Sequence, residues 1–76
     1  MDLKVDKVQR VLSIFARLLS GQCIKKYQES ARFHVDERTI QRDIDDIRAF
    51  LAEQMMEGQE SVNLEYDRRV RGYVLN

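Results

Sequence analysis

Four residues within a run of five, Arg38, Thr39, Gln41 and Arg42, combine two guanidinium forks, a hydroxyl and a carboxamide. These groups bond in planar, directional pairs, the chemistry needed to tell one heterocyclic base edge from another. Arginine matches the two acceptors of guanine, glutamine the donor and acceptor of adenine, and threonine donates or packs on a thymine methyl. A second group, Arg68, Arg69 and Arg71, and the pair Lys25 and Lys26 supply charge elsewhere in the chain. Cations of that kind suit phosphate oxygens, which position a protein on a nucleic acid without reading its sequence.

Other chemistry finds little support. No nucleophile and base pair, phosphate-binding loop or paired-carboxylate pocket can be drawn from these residues, so enzymatic activity and a cofactor are not expected. Asp43, Asp45 and Asp46 form the one carboxylate cluster, and with no ligand partner they read as a solvated helix face. His34 is the sole histidine and Cys23 the sole cysteine, which leaves a metal site without its ligand set and excludes an internal disulfide. A lone thiol fits a reducing compartment, the runs of apolar residues are too short to span a bilayer, and the N-terminus carries acids where a secretory leader would carry only bases. The expectation is a cytoplasmic protein with no membrane partner.

A length of 76 residues allows one core and one domain. The formal net charge is zero, yet the charges are unevenly spread. From Met1 to Arg42 nine bases face five acids, from Asp43 to Glu60 Arg48 alone faces six acids, and after Ser61 three arginines face two acids. A basic and an acidic surface are therefore expected on one molecule.

The elements that must carry these groups follow from periodicity. Val5, Val8, Leu12, Phe15 and Leu19 recur at alternating spacings of three and four, widened by Val11 and Leu18, predicting a helix over Lys4 to Ser20 that ends at Gly21. Leu3 and Ile14 fall on the opposite side and are candidates for touching another domain or protomer. A shorter helix is predicted from about Ile24 to Phe33, with Ile24, Tyr27 and Ala31 inward. Asp36 is a good N-cap for a third helix, about 36–53, whose inner face is Ile40, Ile44, Ile47 and Leu51. Fraying is expected between Glu53 and Gly58, followed by a polar loop, Gln59 to Ser61. Val62, Leu64 and Tyr66 then alternate as in a strand, and Tyr73 to Leu75 as in its return, giving a hairpin over 62–75 with arginines at its tip. Tyr27, Tyr66 and Tyr73 read as core.

A short helix, a tight turn and a longer helix form a helix-turn-helix, and the hairpin after it forms a wing. Winding the third helix at about 100° per residue sets Arg38 and Arg42 opposite the isoleucines, with Thr39 and Gln41 on the flanks. The bend at His34 is expected to need a left-handed backbone.

The segments DERTIQRDIDDIRAFL, from Asp36 to Leu51, and LEYDRRVRGYVL, from Leu64 to Leu75, resemble the N-terminal DNA-binding domain of WYL-domain transcriptional regulators, within the DeoR-like winged helix-turn-helix group. The resemblance spans most of the chain. It implies an α+β domain over 1–76, three helices and a C-terminal two-stranded wing, that binds double-stranded DNA in a bacterial-type regulator. Arg38, Thr39, Gln41 and Arg42 would then face the major groove, while Arg68, Arg69 and Arg71 would meet backbone or minor groove. It also implies a longer regulator, able to form a homodimer, whose effector would be bound by a domain absent here. Two positions depart from the family pattern: Glu29-Ser30 replace a common Leu-Ala pair, and His34 replaces a common glycine.

Blander readings stand beside these. Arg42 is spaced to pair with Asp45 or Asp46 on a solvated face, and the wing arginines would also guard a strand edge. The alternative function is a winged-helix protein-protein interaction module working through the acidic stretch after Asp43.

Overall fold

The computed structural model describes residues 6–55 and 63–76. Three helices, α1 (Lys7–Leu19), α2 (Lys26–Phe33) and α3 (Glu37–Met55), precede two antiparallel strands, β1 (Leu64–Asp67) and β2 (Gly72–Leu75). This is the α+β, winged-helix arrangement that the order of elements predicts. Leu3, Val5, Val62 and the loop expected around Gly58 lie outside the described residues. No helix among the described residues is long and apolar enough to cross a membrane.

Local chemistry sets the helix ends. The Asp6 carboxylate accepts the Gln9 N–H at 2.9 Å, and that of Asp36 accepts the Thr39 N–H at 3.3 Å, each meeting a donor that the first turn leaves without an intrahelical partner. His34 ends α2 at φ 56 and ψ 43, the left-handed conformation expected of the bend, and the Val35 N–H then reaches the Ser30 carbonyl at 3.1 Å. A side chain is strained there and glycine is not. His34→Gly is expected to leave the denaturation midpoint unchanged or raise stability by up to about 1 kcal/mol, while the β-branched His34→Val lowers it.

α3 buries the predicted face, Ile40, Ile44, Ile47 and Leu51, against Ile14 and Leu18 of α1, Ile24, Leu64 and Tyr73. The other two helices correct the sequence reading. In α1 the buried positions are Arg10, Ile14 and Leu18, with Val11 and Phe15 partly covered. Val8, Leu12 and Leu19 of the predicted stripe remain 65, 59 and 64% exposed. The core side thus lies roughly a third of a turn from the expected one, and Ile14, read as outward, is fully buried. In α2 the helix starts two residues later than predicted. Tyr27 and Ala31 face out, and Glu29, with Ser30 and Phe33 beside it, faces in.

Charged residues in the core account for both misreadings. Arg10 bonds Asp43 of α3 through two guanidinium nitrogens, the second at 3.1 Å, and both side chains are almost wholly buried. The hydrogen bond to Asp43, reinforced by the carboxylate's charge, raises the Arg10 pKa still higher, so the arginine stays charged under all ordinary conditions. Glu29 receives Arg17 at 2.6 and 2.8 Å, and Arg32 approaches at 3.6 Å. A bidentate partner is what makes a buried carboxylate tolerable. Asp43, expected on a solvated face, is instead a core residue.

Two ties to the rest of the domain reach the backbone of the wing. Ile24 pairs with Tyr73 as an isolated antiparallel bridge, with N–H to carbonyl distances of 2.8 and 2.7 Å. The Arg48 guanidinium donates to the Leu64 carbonyl at 3.4 Å. Gly72 permits the first: a Cβ there would collide with Cys23 Sγ and stand 2.9 Å from the Ile24 carbonyl oxygen. Gly72→Ala is therefore expected to cost about 1–3 kcal/mol in thermal or urea denaturation. Adding Cys23→Ala should recover only part of the loss, because the backbone oxygen stays.

Candidate nucleic-acid interface

The helix-turn-helix consists of α2, the His34 bend and α3, and it places the four candidate residues of α3 as winding the helix predicts. Arg38 and Arg42 are exposed on the first two turns of α3, and Thr39 and Gln41 are half-buried beside them. Among the described residues neither arginine makes an ion pair. The carboxylates that Arg42 was spaced to meet are engaged elsewhere, Asp45 by Arg48 at 3.2 Å and Asp46 by Lys7 at 2.8 Å.

Gln41 sits at a junction. Its Oε1 accepts from Lys26 Nζ of α2 at 2.9 Å and from the Tyr73 hydroxyl of β2 at 3.2 Å, while its Nε2 donates to Asp45 at 3.1 Å. The carboxamide is thus oriented by two helices and the wing; both lone pairs of its oxygen are engaged, so pairing bidentately with any planar partner would require it to exchange an Oε1 bond. Lys26 is brought beside the candidate residues of α3 through its bond to Gln41. Lys25, half-buried at the N-cap position of α2, lies one residue away.

The wing arginines occupy the connection between β1 and β2, whose register pairs Asp67 with Gly72. Arg68, Arg69 and Arg71 are all exposed. The Asp67 carboxylate accepts the Arg69 N–H at 2.9 Å and lies 3.6 Å from its Nε, folding the tip back on itself. Arg71 adopts φ 54, the left-handed residue that closes the turn.

Two further residues join this surface that sequence reasoning had put in the core. Tyr27 and Tyr66 are more than half exposed. With Lys26, Glu37, Arg71 and Tyr73 they line a cleft of about 260 Å³ between the helix-turn-helix and the wing. Alternation gave Tyr66 the same side as Leu64, which is correct, but Tyr66 lies against Tyr73 as an edge-to-face pair at 5.2 Å, at the open end of the hairpin's inner face.

The basic surface is smaller than the charge count implied, because Arg10 and Arg17 are spent on Asp43 and Glu29. Among the described residues, Lys7, Arg32 and Arg48 are exposed elsewhere but ion-paired, and the other exposed bases lie at the start of α3 and on the wing. No known protein family matches the chain, and no curated protein or solved structure does so either.

Proposed function

We propose that the chain binds double-stranded DNA in a sequence-dependent way, with the first two turns of α3 in the major groove and the wing on backbone or minor groove, as the DNA-reading part of a cytoplasmic transcription regulator. The observation that carries this reading is the outward, unpaired presentation of Arg38 and Arg42 on a helix that follows a left-handed bend and stands beside an arginine-tipped hairpin. The resemblance to WYL-domain regulators in the α3 and wing segments points the same way. The rival protein-docking module is weakened, since the acidic stretch it would use gives Asp43 to the core and ties Asp45 and Asp46 to basic partners.

Selection from a random duplex pool tests the proposal. An enriched motif is expected, bound by the isolated chain with micromolar affinity. For about four phosphate contacts, affinity should fall on the order of 100-fold between about 50 and 200 mM salt. A pool that yields no preferred sequence, together with binding indifferent to salt, would sink the reading.

A further inference from the structure

Besides the side turned to the core, α1 carries an apolar face that the other described residues leave largely uncovered. The uncovered face consists of Val8, Val11, Leu12, Phe15, Ala16 and Leu19, with Val8, Leu12, Ala16 and Leu19 exposed. Phe50 of α3 extends it, packed edge-to-face on Phe15 at 6.1 Å and itself about half exposed. Between the two helices runs a shallow groove of about 270 Å³ whose lining, Val11, Leu12, Phe15, Ile47 and Phe50, is entirely apolar. Spacings of three and four over two heptads make a narrow seam suited to another helix.

The seam has features that select its own copy as that helix. Its positions read the same in both directions about the midpoint between residues 13 and 14. A second α1 laid antiparallel therefore sets Val8 against Leu19, Val11 against Ala16 and Leu12 against Phe15. No charged residue lies on the seam, so self-pairing brings no like charges together. Arg10 and Arg17 point to the core, and Lys7 stands at the rim in its ion pair with Asp46. We propose that this face is an isologous interface in which α1 packs antiparallel on α1 of a second copy, forming a two-fold dimer. The patch is of the order of 500 Å² per copy, at the upper end of what a monomer normally exposes. That is below the ~800 Å² per partner of a standard stable interface, so the dimer is weak and reversible. Phe50 lies about 18 Å along α3 from Arg38, at a rise of about 1.5 Å per residue, which leaves the first turns of α3 open in the dimer. The inference rests on packing and is independent of the DNA reading.

Sedimentation equilibrium of the chain across a wide concentration range reads the assembly directly. Reversible dimerisation with a midpoint on the order of 100 µM is expected. Leu12→Glu/Leu19→Glu should weaken it at least tenfold while leaving the circular dichroism spectrum and dilute melting temperature unchanged. If that variant does not fold, Leu12→Gln/Leu19→Gln takes its place. Orientation is read by mixing Val8→Cys with Leu19→Cys chains, both in a Cys23→Ala background, under mild oxidation. The unlike disulfide should exceed either like one. A wild-type chain that stays monomeric throughout, as it would if a different segment covered this face, overturns the proposal. So does a double variant that dimerises equally well, or a predominance of like disulfides.

Discussion

Asp43→Ala is expected to lower the thermal midpoint of the chain by roughly 15–30 °C. The substitution leaves the Arg10 guanidinium in the core with no counter-charge, and breaking one side of a buried pair typically costs about 3–5 kcal/mol. In a domain of this size each kcal/mol shifts the midpoint by about 4–8 °C. Total stability near 0.05–0.15 kcal/mol per residue means that much of the chain would unfold at growth temperatures. The penalty belongs to the orphaned charge rather than to the bond. Arg10→Met combined with Asp43→Leu should accordingly recover most of the loss in the same melting experiment. A midpoint within a few degrees of wild type for Asp43→Ala alone would mean that water reaches the pair.

The second large effect separates the two arginine groups by what they read. Arg42→Ala and Arg38→Ala each remove a fork from the exposed start of α3. Where the lost fork contacts a base edge, discrimination at one or two positions of the site should fall by about 1–3 kcal/mol, roughly 5- to 150-fold. Arg68→Ala and Arg71→Ala should weaken binding to all duplexes about equally and reduce the salt slope by about one per lost phosphate contact. Gln41→Ala tests a further point. It deletes a possible base contact and also releases Lys26 and the Tyr73 hydroxyl, so its effect on preference should exceed its effect on the melting curve. Preferred sequences and salt slopes measured for all five variants decide the matter. A wing substitution that altered base preference, alongside α3 substitutions that did not, would make the hairpin the reading element.

The same buried charges explain which parts of the fold were legible. α3 could be read because its inner face is four aliphatic residues at helical spacing, with no competing stripe. The wing could be read because alternation and a charged tip are strong local signals. In α1 the helix itself could be read, but its inner face could not, although its apolar stripe is regular. Val8, Leu12, Phe15 and Leu19 form a better apolar stripe than Arg10, Ile14 and Leu18, and hydropathy counts an arginine as a vote for solvent. Only the partner, Asp43, thirty-three residues away, makes Arg10 an inward residue, and Asp43 was itself read as outward for the same reason. Glu29 and Arg17 repeat the pattern in α2. At the candidate interface, winding the helix placed Arg38, Thr39, Gln41 and Arg42 correctly. Of the bonds that hold Gln41, only that to Asp45 has a local i, i+4 spacing; those from Lys26 and Tyr73 come from separate elements that no local spacing announces.

The bridge between Ile24 and Tyr73 has a kinetic meaning. It joins a residue near the end of the first connection to one in the last strand, so most of the chain lies in the loop it closes. Helical turns form from neighbours and gain their bonds early, but this pairing pays its closure entropy before any bond rewards it. A mainly helical protein thus carries a step with the contact order of a β-domain, and the wing is expected to join the helices late. The Ile24 and Tyr73 amides, each bonded only across that seam, should consequently report the opening of the wing in hydrogen exchange as a unit distinct from the helices.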